Sequence, residues 1–347
     1  MRIGIYANAK RDKDLAATKK FIGMLKKDGV DFLAADFPEL NGGIYASRED
    51  LAERCSLIVV FGGDGTILNV VLPAAEKGVP LLGINTGNLG FLTETDASML
   101  ETAAAAIKSR AYTTESRSMI EAEIIRRSDT GNDTEGRGSR NKNGDKKEAA
   151  LACGKVNIGR NFENAEKESF GKTGANSGDG NAALCGKDNA ERSFENDGKR
   201  IVYPALNEIV LKETAFKMAR FKLSVDGFLV DNYHSDGVLV STPTGSTAYS
   251  LSVGGPVLAP NVGAFIINPV NAHSLHSRPI VVSDDSVIEV ETPTEGGLRL
   301  IADGICAAEA GCGEIIRIKK SQNSAVFAKI SDGSFYTRLL RKFNSAK

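Results

Sequence analysis

The chain has 347 residues, of which 41% are hydrophobic, and its formal net charge at pH 7 is -1. This length suits two domains of ordinary size, and the near-neutral charge provides no overall basic field that would attract nucleic acid or an anionic membrane. No apolar run approaches the ~20 residues that span a bilayer, and Met1–Tyr6 predicts a buried strand rather than a signal peptide. The five cysteines form no Cys-x-x-Cys pair. We therefore expect neither a disulfide framework nor a zinc site, and a cytoplasmic location.

Residues 1–110 alternate between strand and helix patterns. In chain order, these patterns predict a strand at Ile3–Ala7, helices at Asp14–Lys27 and from Ser47 to Arg54, a strand at Leu57–Phe61, a helix at Thr66–Lys77, a strand at Val79–Ile84 and a helix at Ala97–Lys108. Ser47 and Asp50 have the spacing of a capping box, and Pro73 is expected to bend or end the helix that contains it. The alternation indicates a parallel sheet covered by helices.

After Ser116 the pattern becomes mostly β. The predicted strands are Met119–Ile125, Ile209–Leu211, Lys222–Val225, Val238–Val240, Phe265–Asn268, Ile280–Val282, Val287–Glu291, Leu298–Ala302 and Ile315–Ile318. Asp226-Gly227 is a candidate hairpin turn, and Phe335–Phe343 again fits a helix. We therefore expect an α/β amino-terminal domain followed by a β-rich second domain.

Residues 128–200 differ from the rest of the chain. They are rich in Gly, Asn, Lys and Glu and nearly free of large apolar side chains. Because they cannot bury enough surface to offset their ordering entropy, we predict a disordered insertion. Cys153–Asn157 and Phe162–Asn164 are echoed later by Cys185–Asn189 and Phe194–Asn196. A duplicated hydrophilic insertion is the favoured interpretation, and a partner-binding segment is the alternative.

The stretch Val59–Thr66, with the sequence VVFGGDGT, places a carboxylate in a glycine-rich loop after a buried strand. Open α/β sheets bind ligands at the carboxyl ends of their strands, and glycines let backbone N–H groups approach phosphate oxygens. A carboxylate would repel phosphate there unless it handles a proton or a metal-bound phosphate. Asp64 is therefore the candidate catalytic residue, with Gly63 and Gly65 beside the nucleotide. A plain Asp-Gly turn is the alternative, and the P-loop motif is absent.

Three further segments carry polar side chains that suit a nucleotide. Asn85–Leu92 follows the next predicted strand, so it should lie at the same sheet edge as Asp64. Ser235–Ser250 is dense in hydroxyl groups that can bind ribose or phosphate oxygens, and Leu206–Glu208 places an amide and a carboxylate in an apolar strand. Taken alone, Asn85–Leu92 fits an ordinary glycine-rich turn equally well. Ser235–Ser250 alone is weak evidence because loops rich in Ser and Thr are common, and Leu206–Glu208 alone favours a solvated strand face.

Taken together, these segments resemble the NAD kinase family, whose members phosphorylate the 2′-hydroxyl of the adenosine ribose of NAD. The resemblance covers residues 1–125 and 201–345. The motifs that carry it are Gly62–Thr66, Gly90–Leu92, Asn207–Glu208, Asp236–Pro256, His273–Leu275 before Arg278–Pro279, and Asp303–Gly304. Their number, order and spacing make the resemblance specific.

The resemblance implies a role for each matched residue. Asp64 matches the family's proton acceptor, and Phe91 matches a residue beside the adenine. Asn207 and Glu208 match the pair that holds the adenine and ribose of NAD, and Asp236 matches an acid near the nicotinamide. The remaining matched positions in this pocket are Thr244, Thr247, Ala248, Tyr249, Ser250, Leu251 and Ser252.

The resemblance also implies the partners and the assembly. The donor would be ATP with Mg²⁺ or another divalent cation, or polyphosphate, and the protein would be a homodimer or homotetramer without nucleic-acid or membrane partners. The implied domains are 1–115 and 116–320, and a C-terminal segment at 321–347 would pack back on the first. His234 departs from the pattern because members often carry Arg or Lys there, and Lys217 is a candidate basic ligand.

Two other functions stay open from the sequence. Diacylglycerol and sphingoid-base kinases share a Gly-Gly-Asp-Gly loop, although Asn207–Glu208 and Thr242–Pro256 argue against a lipid acceptor. A non-catalytic module that senses NAD or NADP would have no need of Asp64.

Overall fold

The computed structural model describes residues 1–87, 90–125, 194–196, 200–213, 218–274, 277–291, 297–331 and 333–345. The helices are α1 (Ala16–Lys27), α2 (Arg48–Arg54), α3 (Asp64–Glu76), α4 (Leu100–Ser109), α5 (Tyr249–Ser252) and α6 (Phe335–Ser345). The strands are β1 (Arg2–Ala7), β2 (Asp31–Ala34), β3 (Leu57–Gly62), β4 (Leu81–Asn85), β5 (Thr95–Asp96), β6 (Thr113–Ile125), β7 (Phe194–Asn196), β8 (Arg200–Ala205), β9 (Glu208–Glu213), β10 (Ala219–Val225), β11 (Phe228–Ser235), β12 (Gly237–Ser241), β13 (Ala264–Val270), β14 (Ile280–Ser283), β15 (Ile288–Glu291), β16 (Leu298–Ala302), β17 (Ile305–Ala310) and β18 (Ile315–Lys329). Within these ranges, no helix has the length and apolar character needed to cross a membrane.

The amino-terminal half is built on parallel strands that are apolar on both faces. β2, β1, β3 and β4 lie side by side, and each pair is parallel. Val59 and Phe61 of β3 pack in one core with residues of α1 and α4, whereas Ile58 and Val60 pack in a second core with residues of α2 and α3. Helices therefore cover both faces of the sheet, which explains the continuous apolar runs in the sequence.

The second half adds an antiparallel sheet of strand order β14-β13-β12-β9-β16-β17. Its inner face packs against β6, β10, β15 and β18 of the larger sheet in one apolar core. Phe221, Tyr233 and Phe265 are among the largest fully buried side chains of that core. The predicted fold class, an α/β half followed by a β-rich half, is confirmed.

β18 connects the two halves and returns the chain to the amino-terminal strands. It pairs antiparallel with β6 and meets β4 in parallel orientation where Phe327 faces Leu81. In α6, which follows, Arg338 donates to the carbonyl oxygen of Thr93 at 3.0 Å. The C-terminal segment thus packs on the first domain, as expected. One sheet runs from β2 through β18 to β11, so it contains strands from both sides of residue 115. The domain boundary at residue 115 therefore stays a prediction.

Most predicted elements are present, with differences at their ends. α3 begins at Asp64, earlier than predicted, and continues through Pro73. The capping box is confirmed, since the Ser47 N–H donates to Asp50 at 2.8 Å and the Asp50 N–H donates to the Ser47 hydroxyl at 3.2 Å. Asp226-Gly227 forms the hairpin turn between β10 and β11, with φ values of 50° and 80°. The unpredicted elements are β2, β5, β7, β8, β11, β17 and the short helix α5.

Most of the insertion at 128–200 lies outside the described residues, as does the first copy of its repeat. Phe194–Asn196 form the three-residue strand β7, which pairs antiparallel with β8. The prediction of disorder therefore does not hold for these residues.

Candidate active site

Asp64 is the first residue of α3, directly after β3 and the glycines that end it. Its carboxylate is held by two backbone groups from the loop after β4. The Phe91 N–H donates to Oδ2 at 2.9 Å, and the Leu92 N–H donates to Oδ1 at 3.0 Å. Each oxygen keeps a further lone pair. The carboxylate is thus oriented by the protein and still able to accept a proton.

The glycines around Asp64 serve two different purposes. A Cβ at Gly90 would lie 2.0 Å from Oδ1 of Asp64, and a Cβ at Gly62 would lie 2.2 Å from Oγ1 of Thr66 in α3. No larger residue therefore fits at either position. A Cβ at Gly63 or Gly65 would meet nothing within 4 Å. These two glycines therefore border open space at a helix N-terminus, where unpaired N–H groups and the helix dipole favour an anion such as phosphate.

A cavity of about 740 Å³ opens at the same edge of the sheet. Arg11, Lys13 and Lys20 line it together with Asn85. Asn85 is the Cα partner of Gly62 in the pairing of β3 with β4, so the cavity adjoins the Asp64 loop. The lining also includes Asp12 and Asp96, and Lys20 forms an ion pair with Glu101 at 3.1 Å. Three cations and two carboxylates leave the lining with a net charge of +1, which favours an anionic ligand only modestly. These cations were not predicted, although the cluster that follows β1 in the sequence could have indicated them.

Asn207 and Glu208 lie where β8 leads into β9, and Asp303 holds this turn. The Asp303 carboxylate accepts the N–H groups of Leu206 at 2.8 Å, Asn207 at 2.7 Å and Glu208 at 3.2 Å. Asp303 and Gly304 form the turn between β16 and β17, with φ values of 48° and 79°. The sequence indicated Asp303 only as part of a family motif, so its role in shaping the Asn207 turn is a finding of the structure.

The carboxyl group of Glu208 is buried without a full set of hydrogen bonds. The residue is 6% exposed, and its Oε2 atom has no hydrogen-bond partner. Burial, followed by the negative charge of Asp303, raises the pKa of Glu208 to about 8, and a hydrogen bond from the Tyr249 backbone opposes the shift. Buried polar atoms without a partner are rare in native proteins. A ligand hydroxyl at this position would satisfy the Glu208 oxygen.

Tyr249 lies close enough to Glu208 and Asp236 for both carboxylates to affect its pKa. Burial raises the pKa of Tyr249, and the negative charges of Asp236 and Glu208 raise it further. Asp236 itself accepts from Nδ2 of Asn271 at 3.0 Å. His234 is exposed on β11. Glu208, Tyr249 and Asp236 therefore form one candidate binding surface on the β-rich half.

The hydroxyl-rich segment after β12 divides into buried and accessible parts. Thr244 and Ser250 are buried, and the Ser250 hydroxyl accepts from Nδ2 of Asn268 at 2.8 Å. The Thr242 N–H donates to the Asn207 carbonyl at 2.9 Å, which ties the segment to the Asn207 turn. The more accessible members are Thr247, Ala248, Tyr249, Leu251 and Ser252. The buried hydroxyls therefore contact the protein itself, and the accessible members can contact a ligand.

One apolar core links the two groups of candidate residues. Leu92, which binds Asp64 through its N–H, belongs to the same buried cluster as Ile67 of α3. Leu206, the neighbour of Asn207, belongs to this cluster as well. The loop that carries the carboxylate and the turn that carries the amide are thus packed against a shared core.

The ring of Phe91 lies towards α6, although its N–H donates to Asp64. Phe91 is half-buried, and its ring centroid lies 6.4 Å from that of Phe335 in α6. Lys217 lies outside the described residues.

Two family models match the chain over most of these elements. The ATP-NAD kinase N-terminal domain matches residues 19–112, and the ATP-NAD kinase C-terminal domain matches residues 206–330. The NAD kinase of Caldanaerobacter subterraneus subsp. tengcongensis is 32% identical over 98% of this chain and 98% of its own. The chain belongs to the NAD kinase family. The family predicted from the motifs is thereby confirmed.

Two solved structures of similar proteins have the fold described above. A yeast NADH kinase complexed with NADH is 21% identical, with a TM-score of 0.70 over 99% of this chain and 86% of that one. An NAD kinase from Archaeoglobus fulgidus in complex with ATP is 23% identical, with a TM-score of 0.63 over 99% of both chains. At these identities the two structures support the fold alone.

A divalent cation would be held mainly by the phosphate donor. Among the described residues, no group of three or more His, Cys, Asp or Glu side chains could hold a metal ion. Mg²⁺ keeps several waters and is usually bound by one or two carboxylates together with substrate phosphates. The single Asp64 carboxylate, with its remaining lone pairs, fits this limited role.

Proposed function

We propose that this member of the NAD kinase family transfers a phosphoryl group from ATP or polyphosphate to the 2′-hydroxyl of the adenosine ribose of NAD, and that Asp64 is the general base. The product is NADP. The observation that carries the proposal is the Asp64 carboxylate, which two backbone N–H groups orient beside the open space at Gly63 and Gly65.

The chemistry requires a base of this kind. A ribose hydroxyl is a poor nucleophile at neutral pH, and a positioned carboxylate that accepts its proton accelerates transfer by ~10²–10⁴-fold. Asp64 can perform this step because the Phe91 and Leu92 amides each use only one lone pair of the carboxylate. The rest of phosphoryl transfer depends on positioning and on neutralising the phosphate charge.

NAD would bind at the surface formed by Asn207, Glu208, Tyr249 and Asp236. The Asn207 side chain can hydrogen-bond a base edge or a ribose hydroxyl. The unpartnered Glu208 Oε2 can accept from a ribose hydroxyl, and because the pKa of Glu208 is raised to about 8, the protonated form can also donate. Tyr249 offers an aromatic face. These contacts favour a dinucleotide over a lipid acceptor, which would need an apolar surface here.

The phosphate donor would lie at the N-terminus of α3, with the cavity lined by Arg11, Lys13 and Lys20 beside it. Cationic side chains and helix N–H groups both neutralise phosphate charge. A bound Mg²⁺ would supply further charge neutralisation on the donor phosphates. Arg11, Lys13 and Lys20 would contribute to donor affinity rather than to proton transfer.

The test is NADP formation by the purified full-length chain. NAD, ATP and Mg²⁺ should give NADP, and Asp64→Asn should lose ~10²–10⁴-fold in kcat while the chain still binds NAD. Asp50→Asn is the matched control, since Asp50 is also a hydrogen-bonded carboxylate in the first turn of a helix but belongs to the α2 capping box.

The outcomes separate the remaining functions. Phosphorylation of a diacylglycerol or sphingoid base in place of NAD would identify a lipid kinase. Binding of NAD or NADP with no product would identify a sensor module. Turnover of Asp64→Asn close to that of the wild-type chain would remove Asp64 from the role of base. A cytoplasmic location and a homodimeric or homotetrameric assembly remain predictions, for which fractionation and light scattering are the measurements.

A further inference from the structure

Glu94 lies at the centre of a buried cluster that joins the loop after β4 to the end of the chain. Its side chain is 3% exposed, and its carboxylate contacts the ammonium group of Lys329 and Nη2 of Arg338, the latter at 3.2 Å. The Ser331 hydroxyl donates to it at 2.7 Å. We call Glu94, Lys329, Ser331 and Arg338 the C-terminal clamp.

The clamp also holds the backbone of the loop. Nη1 of Arg338 donates to the Thr93 carbonyl at 3.0 Å, and the Glu94 N–H donates to the Gly83 carbonyl in β4 at 2.8 Å. One guanidinium thus binds both a carboxylate and a main-chain oxygen, a geometry that a lysine ammonium cannot reproduce in the same way. Arg338 of α6 and the Gly83 carbonyl of β4 therefore together fix the backbone at Thr93 and Glu94.

The same short loop carries the two amides that orient Asp64. Phe91 and Leu92 donate to the Asp64 carboxylate, and Thr93 and Glu94 follow them directly. Backbone geometry couples neighbouring residues, so a shift at Thr93 moves the Leu92 and Phe91 N–H groups away from Asp64. The Arg338 contacts at Thr93 and Glu94 thus directly follow, in the sequence, the two amides that hold Asp64.

We propose that the C-terminal clamp is a positioning device for Asp64, in which Arg338 and Glu94 fix the loop whose amides orient the catalytic carboxylate. This inference rests on the proposed role of Asp64 as general base. Neither Arg338 nor Glu94 belongs to the surfaces proposed above for NAD or the phosphate donor, and both act through the Phe91–Leu92 amides. The chain end is therefore part of the machinery of phosphoryl transfer, although it lies far from the motifs of the family in the sequence.

Arg338→Ala is the most informative variant. It leaves Glu94 with Lys329 as a compensating cation, so the chain should still fold. Removing Glu94 would instead leave two cations, each only 14% exposed, without their carboxylate. Because misplacement of a catalytic group by about 1 Å costs roughly 10²-fold, we expect kcat to fall by about 10- to 100-fold. The KM for NAD should change by a smaller factor than kcat, because Asn207, Glu208, Tyr249 and Asp236 lie outside the clamp.

Two controls distinguish positioning from a general loss of structure. Arg317→Ala removes a comparable arginine on β18 that bridges Glu123 at 3.0 Å and Glu289 at 2.9 Å in the β-rich half, and it should keep the wild-type kcat. Arg338→Lys retains the charge but loses the paired contact to Thr93 and Glu94, so its kcat should lie between those of the wild type and Arg338→Ala. Equal losses in Arg317→Ala and Arg338→Ala would overturn the proposal.

A double-mutant cycle with Asp64 decides the mechanism. If the clamp acts through Asp64, then Arg338→Ala should lower kcat by less than about twofold in the Asp64→Asn background, because the group that it positions is already removed. If Arg338→Ala instead lowered kcat by about the full 10- to 100-fold in the Asp64→Asn background, the clamp proposal would be overturned and the base role of Asp64 would stand. If Asp64→Asn itself kept nearly wild-type turnover, both the base role and the clamp proposal would be overturned. An unchanged kcat in Arg338→Ala would overturn the clamp while leaving the base role intact.

Discussion

Replacing Glu208 by Gln should remove a specific part of the pH dependence of stability. In the folded chain, burial and the charge of Asp303 raise the pKa of Glu208 from 4.5 to about 8. Each unit corresponds to about 1.4 kcal/mol, so the shift is worth up to about 5 kcal/mol as an upper estimate. The residue is 6% exposed, so solvent screening reduces this value little.

The sign follows from the proton count. Between pH 4.5 and about 8, the folded chain keeps a proton on Glu208 that the unfolded chain has released. The stabilisation that Glu208 contributes is therefore fully present below its unfolded pKa of 4.5 and declines as the pH rises from there to about 8. Above about 8 the folded state carries a buried charge beside Asp303, and no further loss from Glu208 is expected.

The assay is urea unfolding of the ligand-free chain at pH values from 5 to 8.5. A glutamine at position 208 does not titrate. Between pH 5 and 8.5 the free energy of unfolding should therefore decrease more in the wild type than in Glu208→Gln. The difference between the two decreases should be several kcal/mol, within the estimate of about 5 kcal/mol. The Gln amide nitrogen would occupy the position of the unpartnered Oε2 and could cost about 1–3 kcal/mol at every pH. The comparison must therefore use the slopes and not the absolute stabilities.

An exposed glutamate, Glu53, provides the control. Glu53→Gln removes the same charge from a side chain that is 62% exposed and lies 3.8 Å from Lys77. If the wild type and Glu208→Gln lose stability in parallel between pH 5 and 8.5, Glu208 does not retain its proton on folding, and the account of its buried environment is wrong.

Two further predictions concern the Asn207 turn. Gly245→Ala places a Cβ 2.1 Å from the Asn207 carbonyl oxygen, so we expect a loss of about 1–3 kcal/mol in unfolding free energy and a raised KM for NAD. Gly23→Ala in α1 is the control, because its Cβ meets nothing within 4 Å and the change should be neutral or slightly stabilising. Wild-type stability and KM in Gly245→Ala would contradict the predicted clash. Asn207→Ala should leave a ligand group unpaired and raise the KM for NAD by about 5- to 150-fold, corresponding to roughly 1–3 kcal/mol, with kcat nearly unchanged. Steady-state kinetics against the exposed control Asn323→Ala would check this, and an unchanged KM would place NAD elsewhere.

Local patterns were sufficient for the class of fold and for the position of the nucleotide loop. The apolar run Leu57–Phe61 and the Gly-Gly-Asp-Gly-Thr sequence after it predict a buried strand that leads into a ligand loop, because strand burial and turn chemistry depend on neighbouring residues. The capping box at Ser47 and Asp50 and the hairpin at Asp226-Gly227 were predictable for the same reason. The exposed residues of β11 carry no such alternation, which is why that strand was missed.

The parts of the candidate site that depend on distant residues were decided by the tertiary structure. Asp303 holds the Asn207 turn across a separation of 96 residues, and Arg338 reaches Glu94 across 244. No local period or turn signal encodes such pairs, since they exist only after β16, β17 and β18 have taken their places in the sheets. The composition and periodicity of this chain thus determine which segments are strands, helices and glycine loops. The packing of those segments determines which carboxylates are oriented, which are buried without a partner, and how the chain end comes to lie against the loop of Asp64.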